Sequence, residues 1–448
     1  MDLLNLWFKP KPYIHFSPKI IKSDIRWLQG SLRDSNWVAK HAFFPLIHKI
    51  LYQRKFRRHS NKSIKRRIKL ETKKRHIYYA THLDTHVYAY YANKLNELYI
   101  TELEEDDQLS SSVIAYRRIA KENSKGNKSN IEFAHEVFKY IKDSKRDCMA
   151  LTFDIKSFFD DLDHKKLKQA WCKLLGLKSL PEDHLNIYRS LTNFKYVEES
   201  DLLLKYNIKH RNDLRQLKTK SLGLNKDFRV KFVDQKLIKS NSKVNPSNKI
   251  IGIPQGTPLS AFLSNLYLLE FDREVLRFLS NFDASLYRRY SDDIVIICNP
   301  LSRDEIESFI YDKIHKDYNL IIQPEKTECV NFTLSNDELV SDKALNYLGF
   351  SFNGTTTFLK PASLAGYYRT IKTYIKQAAR RANRRKAGKN DTIFKKKIYK
   401  LGHLYKRNYF NYAKRASLVM DDEQSQIRGQ VKNHWKIIHK ELAKRSKS

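Results

Sequence analysis

The stretch that decides the fold is residues 286–298, Leu-Tyr-Arg-Arg-Tyr-Ser-Asp-Asp-Ile-Val-Ile-Ile-Cys. Two adjacent carboxylates, Asp292 and Asp293, lie between short apolar runs that are typical of buried strands. The pattern predicts a strand, a tight turn and a second strand, with both carboxylates at the turn. Two like charges at such a turn repel each other unless a cation neutralises them, and Mg²⁺ prefers carboxylate oxygens.

A second acidic segment lies upstream, at residues 151–161, where Asp154 stands at the end of another predicted strand. Between the two acidic segments, residues 252–260 read Gly-Ile-Pro-Gln-Gly-Thr-Pro-Leu-Ser, a loop punctuated by Pro and Gly before an apolar helix. When the two strands are neighbours, Asp154 joins Asp292 and Asp293 in a site for two metal ions roughly 3.5–4 Å apart.

Each of these segments, taken alone, also fits a structural role such as a plain turn before a core helix. Their order and spacing together resemble motifs A, B and C of the reverse transcriptases, at Phe153–Phe159, Pro254–Gly256 and Tyr290–Asp293. The resemblance covers roughly residues 65–360. Within the family, the chain looks most like the bacterial defence-associated (antiviral) reverse transcriptases of type 3 or type 2. The retron and group II intron enzymes are relatives.

The resemblance implies an α+β, right-hand polymerase fold with fingers, a palm and a helical thumb. The palm is expected to be an antiparallel sheet with packed helices. The expected domains are an N-terminal helical extension at 1–60, fingers at 61–145, a palm carrying motifs A to E at 146–360 with an insertion near 200–249, and a basic helical thumb at 361–448.

The charge of the chain is concentrated at its two ends. The net charge is +36 over 448 residues, of which residues 1–76 carry +16 and residues 361–448 carry +19. Basic flanks around a near-neutral centre predict a clamp on a phosphate backbone, with solvated basic helices as the alternative. The cations predicted to bind nucleic acid are Arg66, Arg67, Lys69, Lys73, Lys74, Arg75, Arg380, Arg381, Arg384 and Arg385.

The resemblance also assigns catalytic roles. Asp154 and Asp292 would bridge two Mg²⁺ ions, with Mn²⁺ as a substitute. Asp293 would be a weaker ligand, and the backbone carbonyl of Ile155 would add a contact. Lys326, in a Pro-Glu-Lys-Thr segment that resembles motif D, is the candidate proton donor to pyrophosphate.

Nucleotide selection is expected around motifs A and B. Phe159, five positions after the first aspartate, matches the steric gate that excludes a ribose 2′-hydroxyl. The neighbouring Asp160 is a contrary hint, because RNA-dependent RNA polymerases carry a second acidic residue near that distance. Gln255 and Gly256 lie where motif B packs under base and ribose, and Pro-Gln-Gly favours DNA synthesis.

Two further family motifs add candidate contacts. Arg117 and Arg118 lie on a predicted strand that resembles the second fingers motif, which supplies cations to the incoming triphosphate. Neighbouring side chains on a strand face opposite ways, so only one arginine should reach the phosphates, and Arg118 is favoured. Gly349 permits a close turn in a segment that resembles motif E, the primer grip.

The function implied is an RNA-directed DNA polymerase that makes cDNA from dNTPs on a partner non-coding RNA in bacterial antiphage defence. The alternatives are a retron or group II intron-like reverse transcriptase and a template-independent nucleotide-adding polymerase of the same fold. A catalytically idle RNA-binding scaffold is a third alternative. A second polymerase, an accessory defence protein and a homo-oligomer are open as further partners.

The remaining sequence features bear on compartment and metal class. The chain has no apolar run of transmembrane length and no signal core at its start, so we expect a cytoplasmic protein without membrane contact. Its four cysteines are scattered without a Cys-x-x-Cys pair, which predicts neither a zinc site nor a disulfide framework.

Overall fold

The computed structural model describes most of the chain. The described residues are 7–53, 56–57, 68–69, 72–122, 125–209, 213, 221–222, 225–385, 393, 395–402, 405, 408–420 and 426–446. Of the predicted nucleic-acid contacts, Arg66 and Arg67 lie outside the described residues, as do the side chains of Lys69, Arg384 and Arg385.

The described residues form both strands and helices. The strands are β1 (Leu46–Gln53), β2 (Phe56–Arg57), β3 (Ile68–Lys69), β4 (Lys73–Tyr79), β5 (Cys148–Asp154), β6 (Lys195–Glu198), β7 (Lys239–Ser240), β8 (Leu286–Tyr290), β9 (Asp293–Cys298), β10 (Glu328–Ser335), β11 (Glu338–Ser341), β12 (Leu345–Tyr347), β13 (Phe350–Phe352) and β14 (Thr357–Leu359).

The helices cover more of the chain than the strands. They are α1 (Ile25–Arg33), α2 (Ser35–Ala39), α3 (His82–Glu104), α4 (Asp107–Ser112), α5 (Asn130–Ser144), α6 (Phe158–Asp161), α7 (His164–Leu174), α8 (Glu182–Thr192), α9 (Glu199–Lys205), α10 (Asn225–Phe228), α11 (Pro258–Tyr267), α12 (Leu269–Leu279), α13 (Arg303–Asp312), α14 (Pro361–Arg385), α15 (Lys396–Tyr399), α16 (Tyr409–Val419), α17 (Gln426–Lys432) and α18 (His434–Ser446).

The central sheet has the strand order β11-β10-β5-β9-β8, and every pair in it is antiparallel. Both faces of β9 are buried: Ile294 and Ile296 belong to one hydrophobic core, and Val295 and Ile297 belong to another. A strand buried on both faces needs a continuous apolar run instead of an alternating one, and this explains the sequence Ile-Val-Ile-Ile. The two cores hold β5 and β9 at the middle of the sheet.

A second sheet, with the order β4-β1-β6-β7, forms the fingers side of the molecule. Its neighbour α3 begins at His82, where the Thr81 side chain caps the helix by accepting a hydrogen bond from the Asp84 backbone N–H. Val87 and Leu95 on α3 are fully buried, as the helical spacing of apolar residues predicts. The fingers elements are therefore fixed by their own core contacts.

The second sheet combines strands from distant parts of the chain. β1 is a strand within residues 1–60, which the sequence predicts to be helical, and β6 and β7 come from the interval assigned to the palm and its insertion. β1 pairs in parallel with β6, bringing His48 opposite Glu198, which is 150 positions away. Local periodicity carries no information about a pairing over that distance, so the strand β1 was not expected from it.

The C-terminal helices pack on a small sheet of order β12-β13-β14. Ile371 and Ile375, one turn apart on α14, are fully buried in the same core as Ile438 of α18 and Phe350 of β13. The thumb helices and the sheet predicted as the primer grip therefore share one hydrophobic core. In the described part of the chain, no helix combines the length and apolar character needed to cross a membrane.

Candidate active site

The turn between β8 and β9 brings the acidic segments together. Asp154, at the end of β5, lies directly opposite Asp293, at the start of β9. Residues paired in this way have Cα atoms about 4.5–5.5 Å apart. The Ile155 backbone N–H donates a 3.1 Å hydrogen bond to the Asp292 carbonyl, which ties the end of β5 to the turn. The three aspartates singled out in the sequence are thus neighbours in space.

Ser291 has an unfavourable backbone conformation in this turn. It is the first of the two residues between β8 and β9, and its φ is +61°, in the left-handed region. Two-residue hairpin turns require a positive φ at this position, where glycine is usually found. A non-glycine residue held there costs free energy that the surrounding structure must offset, and such strain clusters at functional sites.

The carboxylates are crowded in a way that disfavours their charged forms. Burial raises the pKa of Asp292, and the nearby charge of Asp154 raises it further. Burial also raises the pKa of Asp293 to about 6, with Asp292 and Asp154 adding to the effect. A group of like charges with raised pKa values is the arrangement that a bound cation stabilises.

Lysines from three different segments oppose this negative charge. Lys326 forms an ion pair with Asp154 and holds down the pKa of Asp292, to which Lys73 of β4 also contributes. Lys360, at the foot of the thumb, acts on Asp293 in the same direction. Fingers, palm and thumb each place one cation around the carboxylates.

The donor set fits a divalent cation, although it is not arranged as a finished metal site. Within the residues that the structure describes, no three His, Cys, Asp or Glu side chains are positioned to hold a metal ion together. The Lys326 ammonium forms an ion pair with an Asp154 oxygen that a metal ion would use. Three neighbouring carboxylates still form the hard oxygen ligand set that Mg²⁺ or Mn²⁺ prefers.

Asp154 and Asp293 border an open cavity of about 600 Å³. Asp154, Asp293, Lys326 and Lys360 line it, and so does Gly349, which lies at the turn between β12 and β13 with φ +96°. The structure therefore brings the predicted primer-grip turn and the predicted motif D lysine to the same cavity as the carboxylates.

The loop before α11 packs closely against α6 and β4, and these contacts explain why two of its residues are glycines. A Cβ atom on Gly252 (φ +85°) would lie 2.5 Å from the backbone oxygen of Asp160 in α6. A Cβ atom on Gly256 (φ +122°) would lie 2.5 Å from the backbone oxygen of Tyr78 in β4. Both positions combine a left-handed backbone with a contact too close for any side chain.

Hydrogen bonds tie the same loop to both of its neighbours. The Tyr78 backbone N–H donates to the Gln255 carbonyl at 2.8 Å, and the Ile253 N–H donates to the Phe159 carbonyl at 2.8 Å. Phe159 is half-buried in α6. These bonds fix the position of the predicted steric gate relative to the loop that is predicted to lie under the nucleotide.

The segment predicted as the second fingers motif is not a strand. α4 ends at Ser112, and Arg117 folds back onto it, donating to the carbonyls of Ser110 at 2.5 Å and Val113 at 2.8 Å. Arg117 is therefore held by carbonyls at the end of α4, and its contact with the triphosphate stays a prediction. Arg118 is exposed but lines a separate cavity of about 620 Å³, away from the lining of the carboxylate cavity.

The other predicted nucleic-acid contacts lie on exposed surfaces. Lys73, Lys74 and Arg75 are exposed on β4, and Lys73 is near enough to influence Asp292. Arg380 and Arg381 are exposed on α14 and do not border the carboxylate cavity. Lys73 therefore lies near the carboxylates, whereas Arg380 and Arg381 lie away from the carboxylate cavity.

One buried network was missed by the sequence interpretation. The Arg289 and Asp272 side chains are fully buried and form a bidentate ion pair. Arg289 Nε donates to Asp272 Oδ1 at 2.7 Å, and Arg289 Nη2 donates to Asp272 Oδ2 at 2.5 Å. Arg289 also donates to the Asn265 side chain at 3.2 Å and to the Ser291 carbonyl at 3.3 Å. The signal was present in the strand alternation, which places Arg289 on the same buried face as Tyr287.

We expect Asp293→Asn to stabilise the metal-free protein above neutral pH. Because the folded state raises the pKa of Asp293 from 3.8 to about 6, ionising this carboxylate costs folding free energy as the pH rises through that range. The residue is partly exposed, so we expect a gain of only about 1–2 °C in Tm at pH 8 in EDTA. The gain should vanish near pH 4, and a gain independent of pH would contradict the assignment.

Part of the chain matches a known protein family in sequence. Residues 206–352 match the family model described as reverse transcriptase (RNA-dependent DNA polymerase). The match includes the Pro254–Gly256 loop, Asp292 and Asp293, and it begins after Asp154. No curated protein matches the chain in sequence.

Several solved structures are similar to the chain. Apo telomerase from Candida tropicalis, truncated from its C-terminal domain, is 13% identical with a TM-score of 0.38, covering 76% of this chain and 61% of its own. Telomerase from Candida albicans in complex with a TWJ fragment of telomeric RNA is 12% identical with a TM-score of 0.40, covering 93% of this chain and 66% of its own. The chain thus spans less than two thirds of the length of either.

The fold class predicted from the sequence is confirmed. The mixed helix and sheet architecture, with an antiparallel central sheet flanked by a fingers sheet and C-terminal helices, is consistent with a right-hand polymerase fold.

Proposed function

We propose that this chain, which carries a segment matching the reverse transcriptases, is an RNA-directed DNA polymerase that joins dNTPs to a primer 3′-hydroxyl on an RNA template. The observation that carries the proposal is the pairing of Asp154 with Asp293 across β5 and β9, with Asp292 at the adjoining turn. The cavity beside this pair also holds Gly349 and Lys326, which the family resemblance links to the primer and to pyrophosphate.

The protein's own groups position the reactants and balance charge, which are the main contributions to phosphoryl transfer. Lys73, Lys326 and Lys360 surround the carboxylates with positive charge that suits a triphosphate and a primer phosphate. Lys326 holds a proton beside Asp154, in position to pass it to the leaving pyrophosphate. The Gln255–Gly256 loop, tied to β4, supports the nucleotide from below.

Asp154, Asp292 and Asp293 are the groups that would hold divalent cations, with Mg²⁺ as the physiological ion and Mn²⁺ as a substitute. When bound, such a pair lowers the pKa of the attacking hydroxyl and neutralises charge on the leaving group. The raised pKa of Asp292 and of Asp293 supports this role, because a cation there relieves the repulsion between the carboxylates.

Sugar selection is proposed to depend on Phe159. We expect Phe159→Val to increase ribonucleotide incorporation relative to dNTP incorporation by about tenfold or more, because the smaller side chain leaves room for a 2′-hydroxyl. The measurement is the ratio of kcat/KM for a dNTP and the matching rNTP. Phe282→Val, which shortens a half-buried ring just after α12, is the control. Unchanged sugar preference in Phe159→Val would remove the gate assignment.

The polymerase proposal is tested with the purified full chain, a primed RNA template, dNTPs and Mg²⁺. We expect primer extension that depends on the template sequence and stops in EDTA. Extension with a composition independent of the template would favour the template-independent alternative. RNA binding without any incorporation under Mg²⁺ or Mn²⁺ would favour the idle scaffold.

The biological setting belongs to the proposal as well. We propose a cytoplasmic role in bacterial antiphage defence, with a partner non-coding RNA as the template. The basic flanks support an RNA partner, since residues 1–76 and 361–448 carry nearly all of the net charge. Sequencing of the RNA and DNA that copurify with the chain from cells tests this role. Absence of a defined RNA with matching cDNA would end it.

A further inference from the structure

A further, smaller cavity shares no lining residue with the carboxylate cavity. It has a volume of about 280 Å³ and lies between the fingers sheet, the residues after Phe159 and the loop before α11. Its walls include Asp160 of α6, His76 and Tyr78 of β4, Phe194 and Lys243. Part of this wall comes from the stretch that the sequence assigned to an insertion of unknown purpose. None of the roles proposed above uses this cavity.

Asp160 is the unusual group in this wall. It is half-buried, and burial raises the pKa of its carboxyl group. Among the described residues, no side chain or backbone N–H donates a hydrogen bond to its carboxylate. The positive charge of Lys243 acts on Asp160, but the Lys243 ammonium forms its ion pair with Asp161, at 2.5 Å. A partly desolvated carboxylate without donors is unfavourable unless a ligand supplies them.

The neighbouring histidines also present a ring nitrogen to the cavity. Glu198 lies 2.7 Å from His48 Nδ1, and His48 Nε2 lies 2.8 Å from His76 Nδ1. Burial lowers the pKa of His48, which favours its neutral form. The carboxylate of Glu198 then accepts from His48 Nδ1–H, and His48 Nε2 accepts from His76 Nδ1–H. Within the described residues, Nε2 is therefore the His76 nitrogen that remains for a ligand in the cavity.

The rest of the wall is aromatic and apolar. Tyr78 and Phe194 lie with ring centroids 5.0 Å apart at 69°, and Ile251 and Ile253 are buried beside them. The Asn241 side chain donates to the Ile251 carbonyl at 2.8 Å, which fixes the far wall. Proteins read single unpaired bases with this combination of flat apolar walls and a few polar groups at one edge.

We propose that this cavity binds a guanine base, whose N1–H and N2–H₂ donate together to the Asp160 carboxylate. Guanine presents two adjacent donors on one edge, which match the two oxygens of a carboxylate. Adenine and cytosine place a ring acceptor beside their amino group, and uracil places its single N–H between two carbonyls. Lys243, exposed at the rim, is the donor nearest to the guanine O6.

The same base can come from a free guanosine nucleotide or from an unpaired guanosine in an RNA strand. The second source rests on the proposed function, because it requires RNA held across the fingers and palm. An unpaired guanosine seated here would lie behind Phe159 and the Ile253 backbone, to which α6 is hydrogen-bonded. The bound guanosine would then fix the position of the RNA relative to the carboxylates.

Equilibrium binding of GMP to the full chain in EDTA tests the proposal without requiring polymerisation. We expect GMP to bind about tenfold or more tightly than IMP, which lacks only the N2 amino group, and than AMP, CMP or UMP. Asp160→Asn should weaken GMP binding by about tenfold or more, because its amide N–H₂ faces the donors of guanine. Asp304→Asn, at a fully exposed carboxylate on α13, is the matched control and should bind GMP normally.

Photocrosslinking of 6-thioguanosine monophosphate locates the base and should label the peptides that carry Tyr78 or Phe194. A short oligoadenosine with one central guanosine distinguishes the source: tighter binding than GMP identifies RNA, and GMP binding alone identifies the free nucleotide. Equal binding of GMP and IMP, or GMP binding unchanged in Asp160→Asn, would overturn the proposal. Binding lost in Asp293→Asn would also overturn it, because the base would then occupy the carboxylate cavity, which Asp293 lines. Loss of primer extension with GMP binding intact would affect only the polymerase proposal.

Discussion

Asp292→Asn is expected to lose Mg²⁺-dependent dNTP incorporation by about a thousandfold or more while the chain keeps its fold. The substitution removes one charge from three neighbouring carboxylates, so the remaining pair holds a divalent cation far more weakly. The fold should persist because burial and Asp154 already disfavour the Asp292 charge in the metal-free protein. The measurement is kcat for primer extension, together with the Tm of wild type and variant in EDTA.

The matched control for this prediction is Asp304→Asn, which removes one charge from a fully exposed side chain of α13. Its extension rate should equal that of wild type within about twofold. An Asp292→Asn rate within tenfold of wild type, at unchanged Mg²⁺ concentration, would show that the paired carboxylates do not carry the reaction. RNA binding retained in the inactive variant would separate loss of chemistry from loss of template.

Arg289→Met is expected to destabilise the protein by about 3–5 kcal/mol, because it leaves Asp272 buried without its partner. Both side chains are fully buried, and the guanidinium also holds the Ser291 carbonyl at the strained turn before Asp292. The variant should therefore lose extension activity even under conditions where it remains folded. The measurements are the free energy of unfolding from denaturant titration and kcat at a temperature well below Tm.

Arg288→Met is the control on the same strand. Its guanidinium donates to the Tyr287 carbonyl, and we expect a cost of about 1 kcal/mol. The double variant Arg289→Met with Asp272→Leu should recover much of the lost stability, since replacing both members of a buried pair by apolar groups is often nearly neutral. Recovered stability without recovered activity would assign the pair to positioning of the turn. Arg289→Met with wild-type stability would contradict the buried-pair argument.

The sequence interpretation succeeded best where the signal was local. The apolar run of β9 and the glycines of the 252–260 loop both follow from short-range patterns. It did not anticipate contacts between distant segments, such as the parallel pairing of the strand at Lys195–Glu198 with β1.

By itself, the sequence determined that three aspartates stand at strand ends, that one loop needs glycine, and that both ends of the chain are strongly basic. These properties depend on residue type and short-range order, so they can be recognised before any fold is known. Only the tertiary structure decided that Asp154 lies opposite Asp293, that Lys326 pairs with Asp154, and that Asp160 faces a cavity without a hydrogen-bond partner among the described residues. These relations arise from packing between segments far apart in the chain, which no local pattern encodes.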